Sequence, residues 1–319
     1  MEINHFQEPH TPQLYLVLQA LATRKNLSPQ DAQKLAQLRR GQLGERAFFE
    51  KIKPHLPKDV LIMHSLNLYH QDNAFQIDHL LFFHQKLYLF ETKYFAGDYL
   101  LHDGIWTALE SNQEINSPLN QLNRSSQLLS RLVRSMGWSG KIVGQVTFMH
   151  EAFTLYGARP EQAFIFLSQF ERKLKRIFAN EGAPLPQEYE LAQKLAQLHR
   201  PTNHYDRRPD YTYDQLWKGV ICPACQHRMQ RKTERFFYCP SCQTKHRTRE
   251  VLFFNVKQFF LLFPEYPFTI AHIHDWCGGQ ISKRSIRNIL EPYAVRTPHK
   301  RGVTFALPKH LKEFSPFDK

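Results

Sequence analysis

The sequence predicts an α/β protein, a mixed sheet flanked by helices, followed by a small metal-stapled module and a basic helical tail. Three observations predict it. Apolar residues recur with helical and then strand spacing, in the order helix, three strands, hairpin, helix, strand. Four of the five cysteines fall in two matched pairs, Cys222/Cys225 and Cys239/Cys242. The charge is lopsided: within a net +13, residues 206–319 hold 20 Lys and Arg against 10 Asp and Glu.

A chain of 319 residues can hold two or three domains with self-sufficient cores. The expected division is an α/β domain with its N-terminal helix over 1–200, a polar, proline-bearing linker over 201–215, a cysteine module over 216–252 and a tail over 253–319. The basic tail suggests a polyanionic partner, nucleic acid or an anionic membrane surface; a merely solvated face is the competing reading. Met1–His10 is polar where a secretory leader would be apolar. The longest apolar run, Phe253–Pro264, is interrupted by Asn255, Lys257 and Gln258 and is too short to span a bilayer. The expectation is a cytoplasmic protein with no membrane partner, whose cysteines bind metal rather than form disulfides.

Thr11–Lys25 reads as a short helix. Ser28-Pro29-Gln30-Asp31 is a helix start, with Ser28 as cap, Pro29 at the first position and an acid three residues after the cap. That helix extends to about Lys53. Leu43, Ala47, Phe48 and Ile52 form its apolar stripe, with Glu45 beside it, and Gly41 and Gly44 point to close packing. Val60–Tyr69 is a first strand, and Gln76–Lys93 a buried hairpin turning at Gln85-Lys86. Alternation then puts Leu80, Phe82, Leu87 and Leu89 on one face and Ile77, Leu81, Phe83, Tyr88 and Phe90 on the other. A second hairpin turns around His102-Asp103-Gly104. Ser117-Pro118 opens a helix running to about Met136, and Lys141–Met149 and Ala163–Leu167 are strands. Leu174–Phe178 and Glu188–His199 are helical.

The buried hairpin carries Asp78, Glu91 and Lys93, which an apolar sheet should avoid. With the turn at Gln85-Lys86, Asp78 lies opposite Lys93 and diagonal to Glu91, all three on one face. Such a trio is costly unless paired or used to hold a metal. One reading is a buried ion-pair network. The other is a phosphodiesterase site, in which Asp78 and Glu91 hold Mg²⁺ (or Mn²⁺) and Lys93 orients or deprotonates the attacking water.

GERAFFE with Glu45, QIDHLL with Asp78, ETKYF with Glu91 and Lys93, Trp106 after a glycine, and NSPLNQLNR with Gln121 occur in that order. Together they resemble the nuclease-related domain (NERD) family, within the PD-(D/E)xK superfamily of Mg²⁺-dependent nucleases, over roughly Leu38–Leu167. The resemblance implies a restriction-endonuclease-like core with Asp78, Glu91 and Lys93 as the catalytic set. It further implies that Glu45 approaches the metal from the first long helix and Gln121 the site from the second. Ile77 stands where the superfamily's proline would be.

Cys222-Pro-Ala-Cys225 and Cys239-Pro-Ser-Cys242 suit one tetrahedral structural Zn²⁺, and the closed thiolate set leaves no open position for a substrate. With Phe236-Phe237-Tyr238 between them they read as a zinc ribbon, ringed by basic residues including Arg231 and Lys232. Thr269–Cys277, Gly278-Gly279 and Ser282–Tyr293 read as helix, turn, helix, and Ala294–Leu307 as two strands. That order resembles a winged helix-turn-helix, exposing Lys283, Arg284 and Arg287 on its second helix and Lys300 and Arg301 on its wing. The functional expectation is a Mg²⁺-dependent nuclease acting on DNA, with RNA as an alternative substrate. The alternative from another class is a nucleic-acid-binding protein that uses the nuclease fold as a scaffold.

Overall fold

The computed structural model describes residues 11–57, 60–179, 184–200, 207–265 and 269–293, and the strands Val295–His299 and Gly302–Ala306. Lys300, Arg301 and residues 201–206 of the expected linker lie outside the described residues. In chain order the elements are α1 (Gln13–Ala22), α2 (Pro29–Ile52), β1 (Leu61–His70), β2 (Asn73–Phe83), β3 (Lys86–Lys93), β4 (Gly97–His102), β5 (Ile105–Ala108) and β6 (Gln113–Ile115). Then come α3 (Pro118–Ser135), β7 (Lys141–Phe148), β8 (Phe153–Tyr156), β9 (Phe164–Phe166), α4 (Leu167–Ile177) and α5 (Pro186–Leu198). The chain finishes with β10 (Gln230–Arg231), β11 (Phe236–Tyr238), β12 (Lys245–Arg247), α6 (Thr248–Leu262), α7 (Ile270–Trp276), α8 (Lys283–Leu290), β13 (Val295–His299) and β14 (Gly302–Ala306). They divide into two units, one containing Gln37–Asp206 and the other Thr11–Ala36 with Arg207–Lys319.

The first unit is a mixed sheet in the order β1-β2-β3-β7-β9, antiparallel through β3 and parallel from β3 to β9. Leu122, Leu129, Leu132 and Val133 of α3 and Leu191 and Leu195 of α5 bury one face with Leu80, Phe82, Leu87 and Leu89. Phe48 and Ile52 of α2 and Phe170 and Leu174 of α4 bury the other with Leu81, Phe83, Tyr88 and Phe90. A small second sheet, β6-β5-β4-β8, carries the buried Trp106.

Three details differ from the sequence reading. The hairpin turns at His84-Gln85, both with positive φ (50° and 57°), so Phe83 pairs with Lys86 and the register moves by two residues. A shift of two keeps every side chain on its face, because the strand period is two. Leu43 is 43% exposed; the buried side of α2 is instead Gln42, Gly44, Glu45, Phe48, Phe49 and Ile52. Ile77 joins Leu80 and Phe82 rather than Leu81, because the alternation slips by one residue at Asp78. The same slip occurs in β1, where Met63 and Leu66 share a face across Ser65. Ser65 and Asp78 are the two positions missing from an otherwise continuous pairing of His64 with His79 and Leu66 with Ile77. They form a matched bulge, with Ser65 in the left-handed region (φ 50°).

The second unit has its own core. Val17, Ala20 and Leu21 of α1 pack among Phe237, Val251, Val256, Phe259, Ile273 and Trp276. The expectation of one domain over 1–200 groups α1 with the sheet by chain position, but its apolar face is covered by the C-terminal helices. Phe253–Pro264, read from sequence only as an interrupted apolar run, falls mostly within the helix Thr248–Leu262, which is buried on several sides. β10-β11-β12 form an antiparallel ribbon, and α7 and α8 start at Thr269 and Ser282, whose side chains accept from the backbone N–H three residues on.

At the centre of this core lies Arg24, with none of its surface exposed. Its guanidinium donates to Gln258 Oε1 (2.8 Å), Asn255 Oδ1 (2.8 Å) and the carbonyls of Gly219 (2.8 Å), Trp217 (3.2 Å) and Trp276 (3.3 Å), and stacks 3.9 Å from the Trp276 ring centroid. Burial pushes Arg24 down to about 9, so it remains charged at neutral pH. The planar fork supplies five donors where an ammonium has three. Arg24→Lys is therefore expected to destabilise the second unit by roughly 3–5 kcal/mol, because acceptors stay buried and unpaired. Urea unfolding followed by Trp fluorescence measures it; a loss under about 1 kcal/mol, the ordinary net value of one hydrogen bond, would show that the fork is dispensable.

Candidate active site and metal centre

The bulge between β1 and β2 builds the first site. After His79 pairs with Phe90, β2 and β3 no longer exchange backbone bonds, and Asp78 Oδ2 accepts the Thr92 N–H at 2.8 Å in place of a ladder carbonyl. The corrected register sets Asp78 level with Glu91, and Lys93 lies two residues further along β3. Lys93 Nζ donates to Glu91 Oε1 (2.7 Å) and to Gln121 Oε1 (2.8 Å), the latter from the first turn of α3. From the other side α2 delivers Glu45, whose Oε2 accepts from Ser65 Oγ. Gly44 permits that approach: a Cβ there would lie 3.2 Å from Tyr94 Cβ and 3.3 Å from Thr92 Cγ2. Gly41 meets nothing within 4 Å. All five residues read from the sequence as catalytic are thus placed at one end of the sheet.

Three carboxylates face one ammonium. Burial, then the negative charge of Asp78, pushes Glu45 up to about 8 against the Ser65 hydrogen bond. The same two causes push Glu91 up to about 8 against Lys93. Burial raises Asp78 as well, opposed by Lys93 and the Thr92 N–H. Glu91 Oε2 is buried with no hydrogen-bond partner among the described residues. An unpartnered carboxylate oxygen beside two more strained carboxylates fits a hard divalent cation such as Mg²⁺ or Mn²⁺. Among the described residues, though, the tight cluster of three or more ligating groups is the cysteine set, not these acids. Asp78 and Glu91 are the pair suited to hold a cation, with Glu45 behind them.

Two participants, Ser65 and His64, were not read from the sequence, and a third, His79, adjoins Asp78 in QIDHLL. Ser65 orients Glu45, and nothing in a strand-like HSL triplet marks a serine for that role. His64 and His79, adjacent to the two bulge residues, meet Nδ1 to Nδ1 at 2.5 Å, so one donates and the other accepts. Burial pushes His64 down to about 4, and burial followed by the neighbouring His64 pushes His79 well below its ordinary value, both of which favour the neutral rings. His79 also stacks on Phe48 (3.9 Å, 9°), which tightens α2 against β2.

The second centre lies in the second unit. Cys222, Cys225, Cys239 and Cys242 bring their sulfurs within 4.8 Å of one another, with Cys222–Cys242 at 3.8 Å and Cys225–Cys239 at 3.3 Å. Four thiolates about 2.3 Å from a tetrahedral Zn²⁺ would be about 3.8 Å apart, so the set suits a structural metal such as zinc. The two knuckles repeat one geometry. Cys222 N–H donates to His227 O and Cys239 N–H to Thr244 O, five residues on in each case. The residue after each second cysteine, Gln226 (φ 62°) or Gln243 (φ 57°), is left-handed.

The basic residues singled out from the sequence are exposed where described: Arg231 and Lys232 follow one another at the end of β10, and Lys283, Arg284 and Arg287 lie on α8. Among the described residues no helix is long and apolar enough to cross a membrane.

A mixed sheet with an Asp–Glu–Lys set at its end and a helix closing over it defines a nuclease-like α/β domain. Residues 40–150 match the family model described as nuclease-related domain, a match that lies within the first unit. The match begins five residues before Glu45, ends two beyond β7, and contains Asp78, Glu91, Lys93 and Gln121. No curated protein and no solved structure matches the chain.

Proposed function

We propose that this protein is a divalent-metal-dependent nuclease that hydrolyses phosphodiester bonds of DNA, with the basic ribbon and the α7–α8 module delivering it to its substrate. The observation that carries the reading is Lys93 Nζ held at once by Glu91 (2.7 Å) and Gln121 (2.8 Å) beside the Asp78 carboxylate. A surface ion pair needs no third partner, whereas an ammonium that must meet a phosphate gains from being fixed in place. Mg²⁺ or Mn²⁺ on Asp78 and Glu91 would supply charge neutralisation and an activated water. The chain's own groups do the positioning. Asp78 is fixed by the Thr92 N–H, and Gln121 holds the Lys93 ammonium where it orients the attacking water and offsets the scissile phosphate. Glu45, fixed by Ser65, completes the acidic floor. Lys283, Arg284 and Arg287, along one exposed side of α8, suit phosphate contact, as do Arg231 and Lys232 on the ribbon.

The test is cleavage of linear, circular and single-stranded DNA, and of RNA, with Mg²⁺ or Mn²⁺ added. Lys93→Ala is expected to lower the rate by about 10²–10³-fold or more while the protein stays folded. Equal cleavage by wild type and variant would sink the assignment, and a preference for RNA would change the substrate.

A further inference from the structure

We propose that the outer face of the cysteine ribbon is a stacking platform for single-stranded nucleic acid, formed by Trp217, Tyr238 and Phe236 with Arg228, Lys232 and Lys245 over their rings. The inference deepens the nucleic-acid reading above and names the form of the polymer that this unit takes.

β11 presents Phe237 inward, fully buried, and Phe236 and Tyr238 outward, half-buried. In the ribbon's register Lys245 lies opposite Tyr238 and Arg247 opposite Phe236, both on that outer face. Gln230 pairs with Tyr238 from the other side, and Arg228 and Gln230 flank the buried Met229, so they too turn away from the core. Each outer ring has a cation over it. Arg228 Cζ lies 5.2 Å from the Trp217 ring centroid, Lys232 Nζ 5.3 Å from Tyr238 and Lys245 Nζ 4.1 Å from Phe236. Trp217 is 45% exposed, although a tryptophan is normally put to use in a core.

An aromatic ring with a cation beside it offers both halves of a nucleotide contact: the ring takes the base and the cation takes its phosphate. Phe236 and Tyr238, two residues apart on a strand, sit about 6.7 Å apart. Stacked bases in a duplex repeat every 3.4 Å or so along each strand and keep their faces covered. The spacing suits bases that have come apart from one another, which means a single strand.

The experiment titrates the full-length, zinc-loaded protein with an oligodeoxythymidylate of about twelve nucleotides, without added Mg²⁺ or Mn²⁺, so that cleavage plays no part. Of the four tryptophans, Trp106, Trp138 and Trp276 are at most 7% exposed, so quenching by a stacked base reports Trp217. Fluorescence is expected to fall on binding, and Trp217→Leu to remove the change. Tyr238→Leu and Phe236→Leu, each retaining one zinc per chain as proof of folding, should weaken the oligonucleotide roughly tenfold and leave a blunt duplex unaffected. Lys232→Ala and Lys245→Ala should each reduce the salt slope by about 0.7. Absence of quenching overturns the proposal, as does equal loss of single-strand and duplex affinity, or quenching by anionic phospholipid vesicles but not by the oligonucleotide. Each of these results is independent of whether Lys93→Ala abolishes cleavage.

Discussion

Glu91→Gln is expected to extinguish cleavage and, in the same preparation, to raise the stability of the metal-free protein at pH 8. In the fold, burial and Asp78 push Glu91 from an ordinary value of 4.5 up to about 8. Between those two pH values the unfolded chain has released a proton that the folded chain still holds. Wild-type stability therefore falls as pH rises from about 4.5 to about 8 and levels off above the folded value. Glu45, also raised to about 8, adds to the same slope. Glutamine has no proton to lose, and its amide oxygen can still accept from Lys93, so the variant escapes its share of the penalty. With Lys93 and the coupling to Asp78 discounted, the gain at pH 8 should be about 1–3 kcal/mol, or a few degrees in the melting of a domain this size. The same logic predicts that Mn²⁺ raises the wild-type midpoint much more at pH 8 than at pH 5, and hardly moves the variant's. Thermal melts at both pH values, with and without the ion, measure all of this. A variant no more stable than wild type at pH 8, or one that keeps the full Mn²⁺ shift, would show that Glu91 neither bears that strain nor binds the ion.

Stripping zinc from the four cysteines should cost the second unit its tertiary packing. Cys222 and Cys239 are fully buried and belong to the same core as Phe237, Val251, Val256 and Trp276. The ribbon strands are only two or three residues long, too short to hold their knuckles without a staple. Structural zinc in isolated fingers is worth about 10–16 kcal/mol of folding energy; the helices sharing this core will reduce the loss here. Metal requires thiolates. Burial pushes Cys222 up and Cys225 up to about 12, while Thr244 brings Cys242 down to about 6. Zinc uptake therefore releases protons, and retention should weaken as pH falls. Elemental analysis should find about one zinc per chain. On chelation, hydrogen exchange should accelerate across α6 and α7 while β2, β3 and β7 remain protected. Unchanged protection in α6 and α7 after the metal has left would refute a structural role.

Much of the candidate site was legible because its residues violate their surroundings. Asp78, Glu91 and Lys93 stand out in apolar strands, and period-two alternation kept them together even though the turn falls one residue earlier than expected. Lost to the sequence was the way Asp78 reaches its place. Regular alternation put Ile77 and Leu80 on opposite faces, whereas a matched bulge at Ser65 and Asp78 gives them a common one. A bulge shared by two strands depends on both at once, and no local propensity marks Ser65 for a left-handed φ. α1 was recognisable as a helix, but the core it belongs to lies some 200 residues away in the chain. Arg24 reads as a charge near a helix end, and only assembly surrounds it with five acceptors.

The sequence by itself determined the order of the main helices and strands from α1 to β7, the helix starts at Ser28, Ser117 and Ser282, the pairing of two cysteine knuckles and the charged trio in the hairpin. Each of these follows from local stereochemistry or from short, fixed spacing. Tertiary structure alone decided which oxygen of Glu91 is left without a partner, that Gln121 grips Lys93, that Ser65 fixes Glu45, and which aromatic rings of the ribbon face outward. Those are contacts between residues remote in the chain, set by the packing of whole strands and helices, and free energy on that scale has no local signature to read.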